Sequence, residues 1–174
     1  MTSGATPREI AARLGLEPHP AEGGYFRETY RSADRFRPLP PFPGERPVST
    51  AIYYLLTADT CSAMHRLPGD EIFHHYLGGP VEMLLLRPDG TTEVVVLSSD
   101  LAMGEPQRVV PGGVWQGSRL MAGAEFALLG TTMAPGFEFA DYETGTEALV
   151  GRYPDREAMI RALLPPGAAG PGRA

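Results

Sequence analysis

Short apolar segments separated by turn residues fill the middle of the chain, from Val48 to about residue 132. Turn signals recur about every eight to twelve residues, a spacing typical of an all-β sandwich or barrel. The segment Arg87-Pro-Asp-Gly-Thr91 predicts a hairpin, because Asp-Gly favours the positive φ angles of such turns. Strands are expected at residues 48–57, 62–66, 71–77, 81–87, 92–97, 106–110, 114–119 and 124–132.

Helical signals are confined to the two ends of the chain. Residues 6–14 predict a short helix in which Thr6 is the N-cap, Glu9 completes a capping box and Gly15 ends the helix. A second short helix is expected over about residues 155–164, where two prolines follow. The overall prediction is an all-β fold with a short helix at each end.

Two segments before the β region do not follow the simple pattern. The strand predicted at Glu22-Gly-Gly-Tyr-Phe-Arg-Glu-Thr-Tyr30 has polar groups on both faces, which suggests that one face lines a pocket or an interface. Residues 36–47 contain too many prolines for regular structure. They predict an exposed loop, and its interpretation as a lid over the barrel mouth or as a tolerated insertion stays open.

Length and charge narrow the class of protein. The 174 residues predict a single domain over residues 1–166, followed by a disordered Gly-, Ala- and Pro-rich tail at 167–174. The net charge of -6 argues against a nucleic-acid partner. No apolar run predicts a membrane span or a signal peptide, and the single cysteine, Cys61, excludes an internal disulfide. A cytoplasmic location is therefore expected.

The candidate site residues lie in two segments, His65-Arg-Leu-Pro-Gly-Asp-Glu71 and Pro111-Gly-Gly-Val-Trp-Gln116. These segments resemble the two motifs of cupin barrels, G-x5-HxH-x3/4-E-x6-G and PxGxxH. His65 and Glu71 match the first histidine and the carboxylate, and Gly78 matches the closing glycine. Leu67 stands at the second histidine position and Gln116 at the histidine of the second motif.

With these motifs the chain resembles the RmlC-like cupins. Within them it is most similar to an uncharacterised subfamily of small single-domain bacterial and fungal proteins. The resemblance implies a double-stranded β-helix, or jelly roll, with a ligand pocket in the barrel and a homodimeric assembly. It implies no settled reaction. Further segments carry the same resemblance: Glu22-Gly-Gly-Tyr-Phe-Arg-Glu-Thr-Tyr30, Ser49-Thr-Ala-Ile-Tyr-Tyr-Leu-Leu56, Asp70-Glu-Ile-Phe-His74 and Ala134-Pro-Gly-Phe-Glu-Phe-Ala-Asp-Tyr142.

Two chemistries are open for the resembling residues. A divalent transition metal would have His65 and Glu71 as strong ligands and the neutral amide of Gln116 as a weak one. Without a metal, His65, Glu71 and one of His74 and His75 would form an acid–base set, since histidine titrates near neutral pH. Strand alternation places His75 on the face of Glu71, whereas the resemblance matches His74, and the sequence leaves this choice open.

The substrate contacts expected from the sequence are Gln116, Arg66, Arg27, Tyr30 and Tyr53. Arginine fits a carboxylate or phosphate through bidentate contacts, and tyrosine supplies hydrogen bonds or an acid. The leading hypothesis is a small-molecule-binding cupin that isomerises or epimerises a sugar-like or carboxylated metabolite without a metal. The alternatives are a metal-dependent dioxygenase or isomerase with a degenerate ligand set, and a non-enzymatic ligand-binding protein.

Overall fold

The computed structural model describes residues 4–166, so the tail predicted to be disordered at 167–174 lies outside the described residues. The helices are α1 Pro7–Leu14, α2 Ala148–Arg152 and α3 Glu157–Ala162. The strands are β1 Glu17–Pro18, β2 Tyr25–Arg31, β3 Arg35–Phe36, β4 Arg46–Pro47, β5 Thr50–Thr57, β6 Cys61–Arg66, β7 Glu71–Gly78, β8 Val81–Leu86, β9 Thr92–Leu97, β10 Gln107–Val110, β11 Trp115–Leu120, β12 Phe126–Met133 and β13 Glu143–Thr144.

Two antiparallel sheets face each other and form the predicted jelly-roll barrel. One has the strand order β1-β2-β5-β12-β7-β10 and the other has the order β13-β6-β11-β8-β9. Side chains that alternate inward from both sheets fill the space between them, for example Phe73, Met83 and Leu129. The predicted all-β class, with a short helix near each end, is confirmed.

The helices cover the outer faces of the sheets. Ile10 of α1 packs against Leu55 and Leu128 of the larger sheet. Ile160 of α3 packs against the apolar side chains of the smaller sheet that point away from the barrel, among them Met64. Each sheet therefore buries one face in the barrel and part of the other beneath a helix.

The expected helix ends are observed at the N-terminus and altered at the C-terminus. Thr6 and Glu9 form the reciprocal capping box, and Gly15 ends α1 in the left-handed conformation with φ 61°. The helix expected at 155–164 is shorter, because a 3-10 turn at Pro154–Arg156 precedes α3. The sequence analysis also missed α2, a single turn too short to show a periodic apolar pattern.

The proline-rich loop connects β3 to β4. Its Phe42 ring lies close against Gly69 and under the guanidinium of Arg46, whose Cζ is 4.5 Å from the ring centroid. This contact attaches the loop to the turn that precedes Glu71. Within residues 4–166, no helix is long and apolar enough to cross a membrane.

Candidate functional site

A cavity of about 50 Å³ lies between the two sheets at one end of the barrel. This volume accommodates a few water molecules, so a larger ligand has to extend through the opening, where Phe139 is 52% exposed. The wall comes from the segment before β2, from β2, β5, β7 and β12, and from the segments after β6 and after β12. Its lining residues are His19, Glu22, Phe26, Glu28, Thr50, Ala51, Ile52, Leu67, Glu71, Thr131, Met133, Phe137, Phe139 and Tyr142.

Glu71, the first residue of β7, presents a buried carboxyl group to the cavity. The amide of Gln116 on β11 donates a hydrogen bond from Nε2 to Glu71 Oε2 at 2.7 Å. Burial raises the pKa of Glu71, and the nearby charge of Glu22 raises it further. Glu71 therefore retains its proton to a higher pH than an exposed glutamate.

Glu22 supplies a second, largely buried carboxyl group to the same cavity, and its side chain is 13% exposed. It precedes two glycines with positive φ, and a Cβ atom on Gly24 would lie 2.8 Å from the Leu55 carbonyl oxygen. This close approach of the backbone to β5 fixes the turn that carries Glu22. The Ser62 hydroxyl donates a hydrogen bond to its carboxylate, and burial raises the pKa of Glu22.

His19 lies beside Glu22, with its Nε2 atom 3.9 Å from Glu22 Oε2. Its Nδ1 accepts the backbone N–H of Glu22 at 2.9 Å and that of Ala21 at 3.3 Å. Because Nδ1 is an acceptor, the neutral ring carries its proton on Nε2, the nitrogen that faces the carboxyl group. Burial lowers the pKa of His19.

His65 and Tyr142 form a stacked pair next to the two carboxyl groups. Their ring centroids are 4.9 Å apart, and His65 is buried behind the tyrosine, which lines the cavity. His65 Nδ1 donates to the Ala63 carbonyl oxygen at 2.7 Å, so Nε2 is the unprotonated nitrogen of the neutral ring. Burial lowers the pKa of His65, and burial together with the charges of Glu22 and Glu71 raises the pKa of Tyr142.

The comparisons with known proteins give the family. Residues 8–145 match the family model described as Cupin superfamily (DUF985). The chain belongs to this family. An uncharacterized protein of Saccharomyces cerevisiae, YML079W, is 36% identical over 159 residues, which is 82% of this chain and 78% of the yeast protein.

Solved structures agree with this assignment. A hypothetical protein from Leishmania major is similar with a TM-score of 0.84 and 32% identity, over 92% of this chain and 99% of the other. Protein SO0799 from Shewanella oneidensis is similar with a TM-score of 0.83 and 35% identity, over 93% of this chain and 99% of the other. A dTDP sugar isomerase from Desulfovibrio desulfuricans G20 is similar with a TM-score of 0.51 and 16% identity, over 76% of this chain and 87% of the other. At this identity the similarity shows the fold alone.

The two strand histidines of this cupin are not part of the cavity, which corrects the expectation for His74 and His75. His74 points to the outer face of the sheet, near Thr132 and Gln107. His75 points inward but lies four residues beyond Glu71, about 13 Å along the strand. Its Nε2 donates to the Gly79 carbonyl oxygen at 2.9 Å, and its Nδ1 accepts the Ser99 N–H at 3.1 Å. Both ring nitrogens thus have structural partners.

The two expected arginine contacts also lie outside the cavity. Arg66 follows His65 and so points to the opposite face, where it pairs with Glu143 at 2.6 Å and stacks on Trp115. Arg27 lies over the Tyr53 ring on the outer face of the larger sheet.

The expected tyrosine contacts, Tyr30 and Tyr53, lie elsewhere too. Tyr30 is 54% exposed, because a bulge after Glu28 shifts the register of β2 against β5. Tyr53 packs edge-on against Tyr76 on the outer face of the sheet. Of the five expected substrate contacts, only Gln116 is next to the cavity, where it binds Glu71.

Three residues of the cavity wall were missed by sequence reasoning: His19, Glu22 and Tyr142. The local signal for Glu22 was its position before two glycines, in a segment with polar groups on both faces. Tyr142 ends a segment that carries the cupin resemblance, but nothing in that segment gave the direction of its side chain. His19 carried no signal, because it reaches the cavity through an irregular segment rather than through strand alternation.

The donor set does not fit a metal site with three histidines and one carboxylate. Leu67, at the second histidine position, adds only hydrocarbon to the cavity wall. Gln116 donates its amide N–H to Glu71, and its buried Oε1, which has no hydrogen-bond partner among the described residues, is a neutral amide oxygen and not an imidazole nitrogen. Among residues 4–166, no three or more His, Cys, Asp or Glu side chains are grouped so that they could hold a metal ion.

Proposed function

We propose that this cupin binds a small hydroxylated carbonyl compound at the cavity and isomerises or epimerises it by metal-independent proton transfer. The observation that carries the proposal is the presence of two buried carboxyl groups, Glu22 and Glu71, on the wall of one cavity. A pair of this kind provides an acid and a base together.

The two carboxyl groups influence each other's ionisation. Because the charge of Glu22 raises the pKa of Glu71, the pair holds one proton at a pH where two exposed glutamates would both be ionised. One carboxyl group is then a proton donor while the other is an acceptor. A reversible isomerisation needs both roles, and they exchange when the reaction runs backwards.

The reaction that fits this pair begins at a C–H bond next to a carbonyl group. The ionised carboxylate takes the proton, the electron pair of the C–H bond forms a C=C bond, and the π pair of the carbonyl group moves to its oxygen. The protonated carboxyl group donates its proton to that oxygen, which gives a neutral enediol. The first carboxyl group then gives its proton to the neighbouring carbon while the second, now ionised, takes the hydroxyl proton from the first carbon, which gives an isomer. Alternatively, the second group takes back the proton from the former carbonyl oxygen and delivers it to the opposite face of the first carbon, which gives an epimer.

The neighbouring aromatic rings support these steps by hydrogen bonding and by positioning the carboxyl groups, and they do not transfer the substrate proton themselves. Tyr142 keeps its proton, because its pKa is raised, and its buried hydroxyl has no hydrogen-bond partner among the described residues. It is therefore a hydrogen-bond donor available to the developing oxyanion. His19 and His65 remain neutral to a lower pH than free imidazole, because burial lowers their pKa. They are therefore positioning residues, His19 beside Glu22 and His65 stacked on Tyr142.

Sequence and fold add limited support. The chain contains no lysine, so a lysine Schiff base is not available as an alternative route to carbonyl chemistry. The sugar isomerase from Desulfovibrio desulfuricans shows that a barrel of this fold accommodates a sugar isomerase.

The test is exchange of substrate hydrogen with solvent. Trioses, tetroses and keto acids are incubated with the protein in D₂O, and deuterium next to the carbonyl is followed by NMR. We expect exchange with the unaltered protein and a loss of about a hundredfold or more in Glu71→Gln and Glu22→Gln, since each removes one proton-transfer group. Binding without exchange would favour a non-enzymatic ligand-binding protein.

Two controls separate this proposal from its rivals. His74→Ala lies outside the cavity and should leave the exchange rate unchanged. Treatment with a chelator should also leave it unchanged. Loss of exchange on chelation and its recovery with a divalent transition metal would instead support the metal-dependent alternative.

A further inference from the structure

We infer that the part of the ligand buried in the cavity is neutral and rich in hydroxyl groups, so the cavity rejects a carboxylate or phosphate there. The inference narrows the substrate class and rests on the proposed function only in assigning the ligand to this cavity. It departs from the carboxylated metabolite that remained open at the level of sequence.

The charges on the cavity wall carry the first part of the argument. Within the described residues, the lining includes three glutamates, Glu22, Glu28 and Glu71, and no arginine. All fifteen basic residues of the chain, apart from histidines, are arginines. A ligand anion at this position would therefore be close to ionisable carboxyl groups without a permanent cation to pair with.

Two arginines that bind segments of the cavity wall already have carboxylate partners. Arg31 binds Glu28 at 2.8 Å and Glu138 at 3.1 Å, and Arg46 forms a buried pair with Asp141. Recruiting either of them to a ligand would leave a carboxylate unpaired. For Arg46 that carboxylate, Asp141, would be left buried, since its side chain is only 5% exposed. Glu28 and Glu138 are 35% exposed, so for Arg31 the loss is that of a solvated pair.

The hydrogen-bonding groups carry the second part. Glu22 and Glu71 each use one oxygen for a protein donor, Ser62 and Gln116 respectively, which leaves acceptor capacity toward the cavity. The Tyr142 hydroxyl needs a partner as well. Hydroxyl groups both donate and accept, so a polyhydroxy compound can satisfy the carboxyl groups and the tyrosine together.

The apolar part of the wall completes the match. Phe26, Ile52 and Met133 line the cavity beside the carboxyl groups. They provide an apolar surface for the C–H groups of a small hydroxylated ligand. The oxygen atoms of such a ligand lie on its other side, toward the carboxyl groups. A fully apolar ligand would fill this surface but leave the buried carboxyl groups and the Tyr142 hydroxyl without partners.

The test compares two ligands of equal length. Dihydroxyacetone and hydroxypyruvate both have three carbons and a central carbonyl, and they differ by a carboxylate in place of one hydroxymethyl group. Because the carboxylate of hydroxypyruvate is bonded directly to the carbonyl carbon, it stays close to the wall carboxyl groups whenever the carbonyl is in the cavity. We expect dihydroxyacetone to bind more tightly, by more than about tenfold, in titrations followed by ligand-observed NMR near neutral pH.

Variants link the preference to the cavity. Glu22→Gln/Glu71→Gln removes the wall charges and should reduce the preference for the neutral ligand, whether or not the variant catalyses exchange. Arg66→Ala, which removes a candidate anion contact outside the cavity, should leave the preference unchanged. A circular dichroism spectrum equal to that of the unaltered protein would establish that the double variant is folded.

The possible results are distinct from those of the exchange test. Equal or tighter binding of hydroxypyruvate would overturn the inference, as would a failure of dihydroxyacetone to bind at up to about 50 mM. Dihydroxyacetone binding without deuterium exchange would support this inference and contradict the proposed isomerase. Deuterium exchange in a compound whose carboxylate lies next to the reacting carbonyl would support the proposed isomerase and contradict this inference.

Discussion

The ionisable residues of the cavity have opposite effects on stability as the pH changes. Burial raises the pKa of Glu22 and Glu71 and lowers the pKa of His19 and His65. The contribution of the histidines to folding stability is fully present above the titration range of free imidazole. It is lost as the pH falls from that range to the lowered pKa of the folded protein. For the glutamates, the folded protein holds more protons than the unfolded chain, so stability is lost as the pH rises through their folded pKa.

Glu71→Gln should stabilise the protein increasingly as the pH rises. The variant removes a carboxyl group whose ionisation opposes folding, while the amide keeps its size and its contact with Gln116. Urea unfolding at about pH 4 and at about pH 7 measures the difference in unfolding free energy from the unaltered protein. The argument fails if the advantage of the variant is largest at the lower pH.

The two neighbouring histidines on β7 should respond differently to truncation. His75→Ala leaves the Gly79 carbonyl and the Ser99 N–H without their buried partner, so we expect a loss of about 2 kcal/mol in unfolding free energy. His74→Ala, on the outer face, should cost about 0.5 kcal/mol or less. Equal losses in thermal or urea unfolding would contradict the structural role of His75.

At the level of elements, a buried ion pair positions the segment that carries Tyr142. Asp141 ends the 3-10 helix Phe139–Asp141, and Arg46 on β4 binds its carboxylate through two guanidinium nitrogens. The two side chains are only 3% and 5% exposed. The pair therefore connects the end of the proline-rich loop to the residue that stacks on His65.

Arg46→Met should destabilise the protein by about 3–5 kcal/mol, because it leaves Asp141 buried and unpaired. The matched double variant Arg46→Met/Asp141→Leu should recover most of that loss, since two apolar side chains replace two charges. Urea unfolding of the single and double variants measures both effects. A single variant as stable as the unaltered protein would show that this pair does not hold the segment in place.

At the scale of the whole molecule, the outer face of the larger sheet is only partly covered. Helix α1 packs on Leu55 and Leu128, while Tyr76 and Val109 remain 45% and 46% exposed. Exposed apolar side chains on one sheet face are typical of an interface. They agree with the homodimer implied by the cupin resemblance, which stays a prediction.

Light scattering should therefore give a mass of about 37 kDa, twice the 18.7 kDa of the chain. Val109→Arg places a charge on the exposed face and should shift the mass toward that of the monomer. Leu101→Arg is the matched control, because Leu101 is also exposed, at 77%, but lies outside the strands of that face. A mass of 18.7 kDa for the unaltered protein would refute the dimer.

The sequence by itself determined β2, the strands from β5 to β12, the N-terminal helix and the cupin family. It missed the two-residue strands β1, β3, β4 and β13, of which β4 lies at the end of the segment expected to be irregular. Strand alternation, turn residues and the Thr6–Glu9 capping box are local signals, so they identify elements without knowledge of the partners. The same local motifs identified Glu71 and Gln116, which the structure places in contact.

Only the tertiary structure decided which side chains share the cavity. Glu22 is 49 residues before Glu71 in the chain, and Tyr142 is 71 residues after it. They meet because the two sheets bring irregular segments together, where no periodicity predicts the direction of a side chain. The bulge in β2, which the sequence pattern does not show, turned Tyr30 outward. Arg66 is different, because strand alternation after His65 already places it on the face that points away from the barrel.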